Sequence, residues 1–168
     1  TPGVFFKTTP VWSAAHAASD QMAALVAETD CRTQDIVEII AEVPELVDIS
    51  LVHPDPQTPQ QAQFSLPYAL ACAALVGRVR FEDLHPEAIR TPEKTALMAK
   101  IRVKRAMDLS TDRMRALHPE AARLTLRLRS GHEARGLSGT ARGMPGSPQT
   151  DVEHNAKFAA ALAIAGYA

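Results

Sequence analysis

Cysteine, aromatic residues and net charge are all scarce in this chain, and each scarcity excludes something. There are two cysteines in 168 residues, Cys31 and Cys72. They lie far apart and form no C-x-x-C pattern, which argues against a disulfide scaffold and against a cysteine-based zinc site. Cys72 sits in the apolar run Ala69-Leu70-Ala71-Cys72-Ala73-Ala74-Leu75. It reads as a small buried hydrophobe rather than a redox group, and the cytoplasm is the default compartment. Aromatic residues make up 5% and are not interleaved with the basic ones, so a single-strand stacking platform is not indicated. The formal net charge is −1, which excludes a polybasic protein. No apolar run approaches the roughly 18 residues that span a membrane. There is no P-loop, no G-x-G-x-x-G, no H-E-x-x-H and no G-x-S-x-G, so no motif calls for a cofactor or a metal. The chain opens Thr1-Pro2-Gly3-Val4, without Met and without a basic-then-apolar leader pattern. The expectation is a processed product or a piece of something longer.

What is present is ordinary globular material. Hydrophobic residues make up 46% and charged residues 22%. At this length one domain buries a real core without staples. Charge is unevenly placed. Residues 1–75 carry two basic against nine acidic side chains, net −7; residues 76–168 carry sixteen against ten, net +6. The basic half includes Lys100, Arg102, Lys104, Arg105, Arg113, Arg115, Arg123, Arg127 and Arg129. It reads as a nucleic-acid footprint, as a face for an acidic partner, or as solvated strand and helix surface.

Patterning predicts the elements. An Ala-rich helix runs Ser13 to Glu28 with Ser13 as N-cap. A strand covers Asp35 to Val43, and Val47 to Leu51 alternates like a further strand. Pro54, Pro56 and Pro59 fix a loop. A helix follows from Pro59 to Val76, with Gly77 as its C′ residue and a kink or split at Pro67. Short helices are expected at His85 to Arg90 and Pro92 to Ala99, and a strand at Ile101 to Lys104. The clearest period-two segment is Ala122 to Arg129, with Ser130-Gly131 as turn and His132 to Arg142 as hairpin partner. Gly143 to Pro148 is loop, and Thr150 or Asp151 caps a last helix reaching Ala165. The whole, residues 1–168, reads as a single α+β domain: a two-layer sandwich, a mostly antiparallel sheet with helices packed on it.

Candidate functional residues are scattered. His16 and Asp20 share one helix face, either as a tuned imidazole–carboxylate pair or as an interfacial one. Lys7 is one of two basic residues in the acidic half; it is a point charge for an anionic group or an exposed lysine. The hydroxyl of Tyr68, beside Pro67, needs a partner if buried: a substrate or a structural bond. His53, His85, His118 and His154 show no ligand spacing.

The run Ala62-Gln63-Phe64-Ser65-Leu66-Pro67-Tyr68-Ala69-Leu70-Ala71, with Ala74-Leu75-Val76-Gly77 after it, resembles the MmgE/PrpD family. That family includes 2-methylcitrate dehydratase, cis-aconitate decarboxylase and iminodisuccinate epimerase. Lys7-Thr8-Thr9-Pro10 with His16 and Asp20 is similar to its K-x-x-P…H-x-x-x-D segment. Gly143 to Pro148 with Lys157-Phe158 is similar to its G-x-P-x-x-P…K-F segment. The resemblance is to the smaller α+β domain of a protein whose larger domain is helical. It implies a cofactor-independent lyase or isomerase acting on a small di- or tricarboxylate by proton abstraction at the α-carbon, with no metal. It implies that Lys7 and Tyr68 contact the anionic substrate, that His16 lies near the site, and that a missing helical domain or subunit supplies the other acid/base groups. The complete enzyme is then expected to be a homo-oligomer and the isolated chain to be inactive. Trp12 and Thr9 depart from the family pattern beside Lys7. The contrasting reading is a non-catalytic module that docks on an acidic protein or on nucleic acid through the basic half. A domain severed from a partner should also leave an apolar or one-signed face uncovered, and the Ser13 to Glu28 helix and the Tyr68 region are the expected places.

Overall fold

Strand β1, Ile36–Val43, organises the molecule because it alternates between a buried and a solvated face. The computed structural model describes residues 3–167; Thr1, Pro2 and Ala168 lie outside the described residues. The other elements are α1 His16–Thr29, α2 Glu45–Ser50, α3 Pro59–Ala62, α4 Leu66–Val76, α5 Pro92–Met98, β2 Ile101–Arg105, α6 Asp112–Leu117, β3 Ala122–Leu128, β4 Glu133–Ser138 and α7 Asp151–Ile164. The sheet order is β2-β1-β3-β4. β3 pairs antiparallel with both β1 and β4, while β2 runs parallel to β1. The parallel pair is a consequence of the helices α2 to α5 between β1 and β2, which carry the chain back to its starting edge. The α+β sandwich read from the sequence is the fold observed, with a mixed sheet.

One sheet face is core. Ile36, Ile39, Ala41 and Val43 of β1 and Leu124 and Leu126 of β3 are buried there, under α1 and α4. Helix α4 is buried from Leu66 to Ala74, as expected of a helix apolar on every side. The opposite sheet face carries ion pairs. Arg127 bridges Glu38 and Glu133 at 2.6 and 2.8 Å, and Arg123 reaches Glu42 at 3.5 Å and also meets Asp108. Arg105 holds Glu45 and Asp48 at 2.9 and 2.8 Å. Much of the basic half is therefore answered by acidic residues, several from the acidic half, across neighbouring elements. The one-signed stretch of sequence is a mixed surface in space.

Several elements differ from the sequence reading. Residues 47–50 belong to helix α2 and Leu51 is its C-cap, so the segment is not a strand. Pro44 ends β1 by removing a ladder donor, and Glu45 and Asp48 lie in the helix's first turn, where carboxylates suit the dipole. Ser13 does not cap α1. It opens a short 3₁₀ turn, Ser13–Ala15, and its hydroxyl donates to Glu120 Oε1 at 2.7 Å. The Pro59 to Val76 helix is split, as one of the two alternatives had it, but the break is at Gln63–Ser65. Ser65 Oγ accepts from Tyr68 N at 3.2 Å, which caps α4 and leaves Pro67 in a first turn that tolerates it. Gly77, φ +81°, closes α4 as expected. Only a 3₁₀ turn, Pro86–Ala88, forms in the His85 to Arg90 segment, because His85 is held extended before Pro86. Helix α6, capped by Thr111, had no apolar period to announce it.

The expected uncovered faces are covered. Helix α1 lays His16, Ala17, Ala18, Met22 and Leu25 into the chain's own core, and Tyr68 has no exposed surface. The uncovered apolar surface is elsewhere. Helix α7 buries none of its described residues, and Phe158 is 65% exposed on it.

Candidate functional site

A strap of irregular chain, Phe5 to Trp12, carries Lys7 across the start of α1, and it is held from several sides. Phe6 N donates to Gly143 O at 3.0 Å, and the Gln149 side chain donates to Phe6 O. A Cβ on Gly143, φ +97°, would stand 2.0 Å from Phe6 O, so glycine is what lets the Gly143 to Pro148 loop grip the strap. Lys157 Nζ, from α7, donates to Lys7 O. Trp12 N donates to Gln63 O at 2.9 Å, and Gln63 Nε2 donates to Pro10 O at 3.2 Å. The three sequence segments that resemble the family thus meet at the backbone of this strap.

Beneath the strap lies His16, 1% exposed. Thr8 Oγ1 is 3.4 Å from its Nδ1 and Thr9 Oγ1 is 3.3 Å from its Nε2, while Phe5 packs edge-on at 5.1 Å. Burial lowers its pKa to about 4, and the charges of Lys7 and Lys157 push the same way against the Val11 backbone. His16 is a neutral imidazole at pH 7. Asp20 is not its partner here: the Asp20 carboxylate accepts from Arg142 N at 2.7 Å. Burial raises the pKa of Asp20.

Lys7 itself is exposed. Its Nζ donates to Val11 O at 3.2 Å and stands 5.6 Å from the Trp12 ring centroid. It lines a groove of about 280 Å³ with Pro10, Val11, Trp12, Gln63 and Phe64. On the α7 side of the strap, two further hollows share Thr8, Arg78 and Lys157.

Tyr68 is in a different place. Its hydroxyl donates to Asp83 O and accepts from Lys94 Nζ at 3.0 Å. Lys94 Nζ also donates to Asp83 Oδ1 at 3.0 Å and to Ala88 O at 2.8 Å. Arg80 completes the set with its backbone N–H, at 2.9 Å, and its guanidinium on the same carboxylate. Burial would raise the pKa of Asp83, but the bonds from Arg80 and Lys94 outweigh it and hold the acid below its usual value. Burial raises the pKa of the Tyr68 phenol and pushes that of the adjacent Cys72 thiol up to about 12. So the structure brings Lys7 and His16 together and leaves Tyr68 in a buried clamp on the 78–91 loop. Asp83 and Lys94 were not legible as site residues. The one clue is a lysine in the first turn of α5, where the helix dipole disfavours it.

Among the described residues no three His, Cys, Asp or Glu side chains gather as a metal-binding group. Among the described residues no helix is long and apolar enough to cross a membrane. The sequence profile of the MmgE/PrpD C-terminal domain matches residues 10–166. The chain belongs to the MmgE/PrpD family. The match takes in His16, Tyr68 and the Gly143 to Pro148 loop, and starts three residues after Lys7. No individually curated protein matches the chain. As an MmgE/PrpD C-terminal domain, it presents one exposed cation on the strap, Lys7, above a neutral buried histidine.

Proposed function

We propose that this domain is the smaller part of a cofactor-independent MmgE/PrpD lyase or isomerase that acts on a small di- or tricarboxylate. The reaction begins with proton removal next to a carboxylate. The observation that carries the proposal is the exposed Lys7 ammonium on a strap whose backbone is fixed by Gly143, Gln149, Lys157 and Gln63. Negative charge builds beside the substrate carboxylate as the proton leaves, and a fixed cation stabilises that charge at no reorganisation cost. His16 supports the strap through Thr8 and Thr9, and as a neutral imidazole it is available to exchange a proton if the strap lifts. Tyr68 reaches substrate only if the 78–91 loop releases its hydroxyl; otherwise it sets the shape of the loop.

The remaining acid/base groups belong to a helical domain or subunit. The apolar, uncovered surface of α7 supports the reading that this chain sits against another body. The alternative of a basic docking module is weakened by the ion pairs that answer Arg105, Arg123 and Arg127 within the chain. The test is to assay the chain alone, and then combined with a helical-domain polypeptide of the same family, against a panel of small carboxylates. The expected result is silence alone and dehydration, decarboxylation or epimerisation when combined. Turnover by the chain alone, or none in the combination, would overturn the proposal.

A further inference from the structure

Trp12 is the single tryptophan of the chain and is 43% exposed. Its ring stacks on Phe64, centroids 5.3 Å apart and planes 29° from parallel. The pair is rigidly mounted, because Trp12 N and Pro10 O are both bonded to Gln63, the residue before Phe64. Phe64 in turn precedes Ser65, the cap of the buried helix α4. The groove beside this pair has one formal charge among its lining residues, the Lys7 ammonium. An apolar wall with a single orienting charge is the usual make-up of a small-molecule subsite.

We propose that this groove selects among di- and tricarboxylates: it takes one carboxylate of the substrate together with an apolar substituent beside it, a short alkyl or aryl group. The carboxylate pairs with Lys7, and the substituent lies on the exposed remainder of the Trp12–Phe64 pair. A polycarboxylate without such a substituent, such as citrate, fits less well, since the polar group it must press on the aromatic pair loses water without gaining a partner. Charge complementarity at Lys7 selects an anion, and the aromatic wall selects its apolar neighbour. The inference rests on the reading of Lys7 as the carboxylate-binding residue.

The lone tryptophan gives a direct measurement on this chain, without turnover. Its fluorescence is titrated with phenylacetate, isovalerate, citrate and the neutral phenylacetamide, and affinities are confirmed by calorimetry. Phenylacetate and isovalerate should give a saturable change. Citrate and phenylacetamide should bind at least about tenfold more weakly, a difference of about 1.4 kcal/mol. By calorimetry Trp12→Ala and Lys7→Ala should each weaken phenylacetate about tenfold or more, with Trp12→Phe retaining most of the affinity and an unchanged thermal midpoint showing intact folding. If citrate binds as tightly as phenylacetate and both need Lys7, the selectivity is wrong while the role of Lys7 survives. If neither acid responds to Lys7→Ala, or no probe binds saturably, the reading of Lys7 falls as well. Equal binding of phenylacetate and phenylacetamide would also overturn the proposal.

Discussion

The ammonium of Lys94 lies 3.0 Å from the phenolic oxygen of Tyr68, and the same nitrogen lies 3.0 Å from Asp83 Oδ1. Lys94 is 6% exposed and Tyr68 has no exposed surface. A lysine so enclosed is stable only because every proton has an acceptor: Tyr68, Asp83 and Ala88 O. The clamp ties α4 to α5 and fixes the 78–91 loop between them.

Breaking that clamp should cost stability rather than binding. Lys94→Met leaves the Asp83 carboxylate in a poorly solvated position with only Arg80 to answer it, at a cost of about 3–5 kcal/mol. Tyr68→Phe removes a donor from Asp83 O and an acceptor from Lys94, at about 1–3 kcal/mol. Urea unfolding of both variants measures this. A Tyr68→Phe protein as stable as the parent would show that the hydroxyl is free to serve a ligand.

The His16 environment predicts acid sensitivity with a definite sign. Its pKa falls from the ordinary 6.5 to about 4 on folding, so the unfolded chain binds the proton more readily between those values. Stability is unaffected by this group above pH 6.5 and declines as pH drops from about 6.5 toward 4. The full loss is about 3 kcal/mol. Unfolding free energy measured from pH 7 to 4.5 should fall less steeply in His16→Gln. Equal slopes for the two proteins would mean that folding does not lower the pKa of the imidazole.

The two thiols should differ sharply. Cys72 is buried and its pKa is pushed up to about 12 by burial, while Cys31 is partly exposed. Native protein should release one equivalent with a thiol reagent at pH 8, and a second only in denaturant. Fast reaction of both would mean that α4 opens readily.

Lys7→Ala should act on catalysis and leave the fold alone. In an assembly with the helical part, turnover should drop about 10²–10³-fold, the size of one lost preorganised electrostatic contact. The thermal midpoint should change little, because the Lys7 side chain is exposed and gives a single bond to Val11 O. Full turnover in this variant would remove Lys7 from the mechanism.

The local signals carried the elements that depend on neighbours in sequence. The alternation of Leu124, Leu126 and Leu128, the apolar run of α4 with Gly77 after it, and Thr150 three residues before Glu153 all specify their structures through short-range geometry. The family resemblance also lay in the sequence, since Ala62 to Ala71 is a contiguous run. Competition between neighbours misled the reading at residues 47–51, where a period of two was overridden by Pro44 and by the carboxylates of a first helical turn. Long-range pairing was beyond reach. Nothing near Asp83 or Lys94 in sequence points to Tyr68, and nothing near Glu38 points to Arg127; a charge finds its partner only when strands and helices are laid side by side. The sequence alone therefore nominated candidates for chemistry: Lys7, His16 and Tyr68. The tertiary structure decided which of them face water. Exposure depends on what the rest of the chain places on top of each side chain, so it put Lys7 on a fixed strap, His16 beneath it and Tyr68 in the core.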